Sequence, residues 1–487
     1  MSQIFNNEVR VEPGSGARIV TNVTPAPNLL SSGIVAVIGE SVGGLTAADK
    51  TIYLSDNPAF FRNALQDGIG KKVVDYVFNP APSAPGAQQV IFVRAQAATG
   101  ATATITTGGA TLTLTTKDKG AYLSTAPTYL QKKLLAGVVN SALNILYLYL
   151  NGVLVWTSPE VAKFEDLLTA IQANALASSL LTGAITGTAG VDLTGAEDVS
   201  SVTFTGGTSP AMTGTDIDNA LALLSNLEFS FLVIASETEA NYLKGLSFVV
   251  NSATYPAIVV AGGALAETVA QVLTRSLNLN SDQAILCTPG IVMPKDDGTG
   301  NETLSSLYLA AKVAGVLAGS SPEVPATWKA LQVLGFEKEY TKTEREQLIK
   351  GGVCVGKQIS GIGYAINKCV NTLQNNGSMI YKKTDGTATS PEVSIIRIFQ
   401  QLKKELIVNS APLFIGGNIA TVTSEDIINF TKAYLQTRCS TNTQSNLIMN
   451  FSAVTAVLLD DAWWVTFNFV ANGPINFVFF TGVALKP

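Results

Sequence analysis

The residues best placed to do chemistry lie in Gly39-Glu40-Ser41-Val42-Gly43, which follows the apolar run Ile34–Ile38 and fits G-x-S-x-G. In that pattern a serine sits on a sharp strand-to-helix turn, where its hydroxyl can act as a nucleophile. Such a serine needs a base to take its proton, usually an imidazole, and the chain has no histidine. No helical pattern follows either, because Leu45–Lys50 leads into a second apolar stretch, Ile52-Tyr53-Leu54. A glycine turn after a buried strand is the expected role. The missing histidine also removes Cys-His proteases and His-ligated zinc.

The remaining motifs fail for local reasons. The glycines after Ile38 make no phosphate loop, since the Lys of G-x-x-x-x-G-K-[ST] is missing. Gly361-Ile362-Gly363 supplies two glycines of a dinucleotide fingerprint, but Ile366 stands where the third belongs. Asp296-Asp297-Gly298, followed by Asn301-Glu302, lacks the alternating acids of a calcium loop and reads as a solvated turn. Cys287, Cys354, Cys369 and Cys439 form no C-x-x-C pair. They read as reduced, buried thiols, with cross-linking in an oxidising medium as the alternative. No catalytic, cofactor-binding or metal-binding residue is assigned.

The elements that would have to position any site follow two textures. Ile34–Ile38 and Val90–Val93 read as buried strands, with a helix start at Asn57-Pro58 between them. From about residue 97 the chain turns to Thr, Gly and Ala in alternation, with a hairpin signal at Asn151-Gly152 and a helix near Glu160–Ala175. This β-rich stretch, residues 97–214, reads as an insertion. Strand–helix alternation then resumes: a helix Asp216–Leu224 capped by Thr215, the strand Phe229–Ile234, and a helix with a capping box of Ser236 and Glu239. The strand Ala257–Val260, a helix near Ala264–Leu277, the strand Gln283–Cys287 and a helix Leu304–Leu317 follow. Thr343 and Glu346 suggest another capping box, with Glu346 and Lys350 paired and Gly351 at the stop. Residues 1–28 lack any amphipathic period and read as an arm. Trp463–Val470 and Ile475–Leu485 alternate as apolar strands that need covered faces and paired edges, within their own domain or by donation to a neighbour.

The predicted fold class is therefore α/β: a discontinuous core domain with a mixed sheet flanked by helices, an inserted β-rich domain, and extended N- and C-terminal arms. The expected segments are 1–28 (arm), 29–96 (first part of the core), 97–214 (insertion), 215–470 (remainder of the core) and 471–487 (linking strand). Charged residues are only 14% of the chain, against roughly 25% in an ordinary soluble domain. Either the core is unusually large or much of the surface meets other protein. A net charge of −5 argues against direct nucleic-acid binding. No apolar stretch is long enough to insert in a membrane, and no signal peptide is legible, which predicts folding in a cytoplasm.

Several of these parts, in this order, resemble the contractile tail sheath proteins of phages and related injection systems. The resemblance rests on Thr341–Leu348 (T-x-x-E-R-E-x-L) running into Gly352-Val353, the Arg-containing Ser394–Phe399, Ile34–Gly39, and a β-rich C-terminus. It spans about residues 1–100 and 215–487; the insertion matches nothing specific, and near Gly361–Leu373 the family's fuller Gly-Ala-Arg-Thr pattern is not evident. The resemblance implies a homo-oligomer of stacked sixfold rings around a tail tube, meeting baseplate and tail terminator proteins in a virion tail assembled in the host cytoplasm. It also implies neighbours linked by donated strands, with Ile4, Phe5, Val9 and Val11 at one end and Ile475, Phe477, Phe479, Val483 and Leu485 at the other. Helices after Asp216 or Leu304 could face the tube. The alternatives are another phage tail or capsid structural protein, such as a tube or baseplate protein, or an α/β enzyme with a site at the carboxyl ends of the sheet strands.

Overall fold

The computed structural model describes residues 3–5, 8–10, 33–82, 84–125, 130–194, 196, 198, 200–252, 256–374, 381–382, 388–417, 421–439 and 447–474. Two units emerge: Ser31–Lys404 with Ala471–Pro487, and Met1–Leu30 with Glu405–Val470. The boundary falls within the stretch read as one remainder, 215–470.

The larger unit is built on an eight-stranded sheet. Its order is Gly363–Lys368, Val353–Ile359, Ala284–Thr288, Ile258–Ala261, Phe231–Ile234, Ile34–Gly39, Gln89–Arg94, Tyr53–Ser55. The inner strands pair in parallel, and the two edge strands pair antiparallel. Inner segments such as FLVI, IVVA and AILCT are buried on both faces, as parallel strands between helical layers must be. The mixed α/β sheet expected from the sequence is borne out. Ile34–Gly39 lies between Phe231–Ile234 and Gln89–Arg94, so the sheet draws strands from both sides of residues 97–214.

One face of the sheet is covered by the helix Ser306–Ala318, whose every residue is buried, Lys312 included. This corrects one expectation: the helix after Leu304 is interior and cannot face a tube. Its C-terminal carbonyls are held by Arg397 of the helix Val393–Phe414, which donates from Nη2 to Leu317 O at 2.7 Å and to Ser320 O at 2.6 Å. Burial lowers the Arg397 guanidinium to about 10. The arginine in that helix is thus a buried cap for another helix.

Two helix starts move upstream of their predicted places and a third moves downstream. Thr213 with Asp216 caps Gly214–Leu224, and Thr341 with Glu344 caps Lys342–Lys350. The sequence offers overlapping T-x-x-acid frames at both sites. At the second, the earlier frame turns Leu348 fully inward. Here Glu346 sits 3.9 Å from Lys342, not Lys350, and both side chains are exposed. Glu239–Val250 starts after Thr238, without a box. Ser236 Oγ instead accepts from Thr238 N and Asn241 Nδ2, while Glu239 accepts from Asn278 Nδ2.

Within residues 97–214 the chain builds a separate hydrophobic core, which includes Leu112, Leu114, Leu146, Phe164, Leu167 and Phe204. One sheet runs Leu181–Gly187, Ala110–Thr116, Thr102–Thr107, and the other Val153–Thr157, Asn144–Leu150, Leu130–Ala136, Val202–Thr203. The single helix expected near Glu160–Ala175 is two, Phe164–Ala173 and Ala175–Leu180. Asn174 breaks it by leaving the helical region and accepting from Leu176 N and Ala177 N as the second cap. The module enters and leaves together, since Thr99 N donates to Thr208 O at 3.1 Å and Thr208 N to Thr99 Oγ1 at 3.1 Å.

In the smaller unit, Gln3–Phe5 and Glu8–Arg10 pair antiparallel. The helix Ser424–Thr437 and the hairpin Ile448–Leu459/Ala462–Ala471 follow the second half of Val393–Phe414. The unit is fixed internally by Glu405, whose carboxylate takes hydrogen bonds from Arg438 Nε at 2.8 Å, from Arg438 Nη2, and from Tyr434 OH at 2.6 Å.

Candidate functional site

The serine of Gly39–Gly43 is not poised as a nucleophile. It is buried, its Oγ donates to Gly43 O at 2.7 Å, and its backbone is clamped by Gln96 through Ser41 N and Ser41 O. Neighbouring Glu40 accepts from Met212 N on the segment returning from the inserted module. These groups stand where the order of the parallel strands reverses, between Ile34–Gly39 and Phe231–Ile234, the usual ligand crevice of a doubly wound sheet. Here the chain's own atoms use them. Tyr242, fully buried, donates to Ser236 O beside the next strand end and accepts from Gly262 N at 3.4 Å.

Fully buried Arg94, at the end of its strand, joins three segments. Nη1 donates to Gly44 O and to Lys119 O at 2.7 Å, and Nη2 to Val42 O at 3.3 Å and Ser209 Oγ at 3.4 Å. The inserted module is thereby bound to the loop after Gly39.

Gly361 and Gly363 form the turn between Val353–Ile359 and Gly363–Lys368, both at positive φ, which accounts for the partial fingerprint. Asp297 accepts from Thr299 N and Oγ1 within a turn, which holds its carboxyl below the ordinary range. The four cysteines are free and buried. Three gather in space: Cys287 and Cys354 are register partners on adjacent strands, and the Cys354 thiol shares hydrogen bonds with those of Cys287 and Cys369. Thiol–thiol hydrogen bonding and burial push Cys354 and Cys369 well above the usual thiol range, which disfavours the thiolate and hence the cross-linking alternative. Among the described residues no cluster of three or more His, Cys, Asp or Glu could hold a metal ion. No helix there is long and apolar enough to cross a membrane.

Among the described residues, a large exposed apolar surface lies on the hairpin Ile448–Leu459/Ala462–Ala471. Among the described residues it forms a two-stranded sheet, with Trp464 62% exposed and Val457, Leu459 and Val470 also exposed. Its other face looks onto a cavity of about 580 Å³ within the smaller unit, between Val393–Phe414, Ser424–Thr437 and the hairpin. Leu406, Phe414, Ile427, Phe430, Trp463 and Phe467 line it. The apolar period of Trp463–Val470 gave the strand but not the cavity. The helical spacing of Ile427 and Phe430 was the signal for the opposite wall.

Of the predicted linking residues, Ile4 stands opposite Val9 and Phe5 opposite Glu8 in the N-terminal strand pair. Val11, Ile475, Phe477, Phe479, Val483 and Leu485 lie outside the described residues.

No family model matches the chain. A tail sheath protein of Bacillus phage SP01 is 25% identical over 236 residues, 46% of this chain and 40% of that protein. A relative from Enterococcus phage phiEF24C is 22% identical over 222 residues, 45% and 38% of the two lengths. The chain thus covers less than half the length of either curated relative. Among solved structures, the sheath tail protein of Desulfitobacterium hafniense superposes with a TM-score of 0.61 at 16% identity, over 93% of this chain and 100% of that one. That of Listeria innocua gives 0.58 at 17%, over 92% and 96%. The helical sheath of the anti-feeding prophage in its contracted state gives 0.51 at 10%, over 98% and 99%. The chain has the fold of the sheath proteins and is related in sequence, over a little under half its length, to the tail sheath proteins of phages.

Proposed function

We propose that this chain is the structural subunit of a contractile tail sheath, polymerising as stacked sixfold rings around a tail tube and contracting to drive that tube through an envelope. The observation that carries the reading is the hairpin above its apolar cavity, which among the described residues has no third strand beside it. A two-stranded sheet with apolar residues on both faces and unpaired edges is unstable and sticky alone. Added strands from other copies remedy both faults at once, pairing the edges and filling the cavity. Residues 1–28 and 471–487 are the arms that supply them. Ile4, Phe5, Val9 and Val11 serve at one end, and Ile475, Phe477, Phe479, Val483 and Leu485 at the other. Residues 97–214 are carried outward, and assembly takes place in the host cytoplasm with tube, baseplate and terminator proteins as partners. The role asks for no catalytic group, cofactor or nucleotide. Energy stored in a metastable polymer is released when packed surfaces exchange one arrangement for another while the strand links hold.

The test is electron microscopy of the full-length chain, alone and co-expressed with the tube protein. Hollow ribbed cylinders are expected, and a chain lacking Phe477–Pro487 is expected to stay soluble and unpolymerised. Normal cylinders from the truncated chain would sink strand donation. Absence of cylinders from the full chain under both conditions would sink the sheath reading.

A further inference from the structure

Trp328 is held in the left-handed backbone region, with φ 63°, and its side chain is 58% exposed. Lys329 N donates to Ala326 O at 3.1 Å, closing a four-residue turn with Trp328 third. A positive φ at that place is ordinarily met by Gly or Asn, which adopt it at little cost. A bulky residue there is an outlier, and an indole more than half exposed gains little from its own fold to offset the strain.

The rest of the turn is fixed firmly. Trp328 N donates to Ile366 O at 2.7 Å and Leu331 N to Tyr364 O at 2.8 Å, so residues 328–331 run along the edge strand Gly363–Lys368. Leu334 follows, 51% exposed and tied through its N to Val292 O at 2.9 Å, and Ile362, 40% exposed, sits in the turn leading to that edge strand. Trp328 and Ile362 thus stand exposed beside the edge strand of the large sheet, and Leu334 stands exposed where the chain passes on to Ile291–Pro294 of the three-stranded sheet. Lys329 adjoins Trp328, and Lys357 is the register partner of Ala365, which faces Ala330. Neither lysine has an ion-pair partner among the described residues. A basic rim on a chain of net charge −5 is complementary to the excess carboxylates of another copy.

We infer that Trp328, with Leu334 and Ile362, is an anchor for a second copy of this chain, and that the turn keeps its strain to present the indole. The inference rests on the sheath reading and adds a contact separate from the donated strands. A rigid, exposed tryptophan that becomes desolvated on docking is the kind of residue that dominates an interface.

The test compares the full-length chain with Trp328→Asn and Trp328→Phe, by thermal unfolding and by sedimentation of polymer. Asn suits the positive φ, so its variant is expected to melt at the wild-type temperature or above. Its critical concentration for polymer should nevertheless rise by about tenfold or more. Phe keeps an aromatic ring and should recover much of the polymer. Polymerisation of Trp328→Asn at the wild-type concentration would overturn the inference. So would a clear drop in its melting temperature, because the ring would then be serving the subunit's own fold. If the wild-type chain forms no polymer even with the tube protein, the sheath reading fails and this contact fails with it.

Discussion

Lys312 shows what one buried charge does to this fold. Its Nζ donates to Asn79 O at 3.1 Å and sits 4.6 Å from the centre of the Tyr76 ring. Burial lowers its pKa from 10.5 to about 8. The folded chain therefore binds fewer protons than the unfolded chain between about pH 8 and the ordinary lysine value, and stability rises with pH across that window. Above about pH 10 the tyrosines oppose the trend, since burial raises Tyr308 to about 12 and its unfolded form ionises first. Lys312→Met should be more stable than wild type at neutral pH by on the order of 1–3 kcal/mol. It should also lose the rise between about pH 8 and 10, as read by denaturant unfolding at several pH values. A variant that keeps the same slope would place the titrating group elsewhere. The cysteines make the complementary point: spaced along the sequence with no pair motif, three of them meet through strand order alone, which spacing does not encode.

At the scale of elements, the legible parts were those specified locally. Asn151 and Gly152 both take positive φ, as a tight hairpin turn requires, and Asn57-Pro58 starts its helix with Asn57 Oδ1 accepting from Ala59 N. Fully apolar runs gave the inner strands because both of their faces are covered. What stayed hidden depends on distant partners: Arg397 on the Leu317 carbonyl, Glu405 with Arg438, and the choice between overlapping capping frames, which is settled by where Leu348 must point. The cavity beneath the hairpin was hidden for the same reason, since two of its walls come from separate helices. The adjacency of Thr99 and Thr208 leads to a prediction. Replacing residues 100–207 by two glycines should leave the eight-stranded sheet folded, because the module contributes no strand to it. The melting temperature should fall, because Arg94 loses the Lys119 carbonyl. Circular dichroism and a cooperative melt would show this, and loss of cooperative unfolding would mean that the module is part of the core.

For the whole molecule, the decisive quantity is the low charge content, 14% of residues. An assembly built on an apolar hairpin and backbone pairing depends little on long-range Coulomb attraction, which salt screens beyond about 10 Å. The critical concentration for polymer should shift by less than about tenfold between about 0.05 and about 0.5 M NaCl, measured by sedimentation. A larger rise with salt would assign assembly to charged rims such as Lys329 and Lys357. The stem at Thr99 and Thr208 has a practical meaning as well. A chain that leaves and re-enters the core through a narrow stem of paired residues can carry foreign sequence of almost any length there, because the closing entropy is met within the guest and the host sheet is untouched. The site is a splice port: an enzyme or epitope grafted between those two threonines would be repeated once per subunit along any polymer the chain forms.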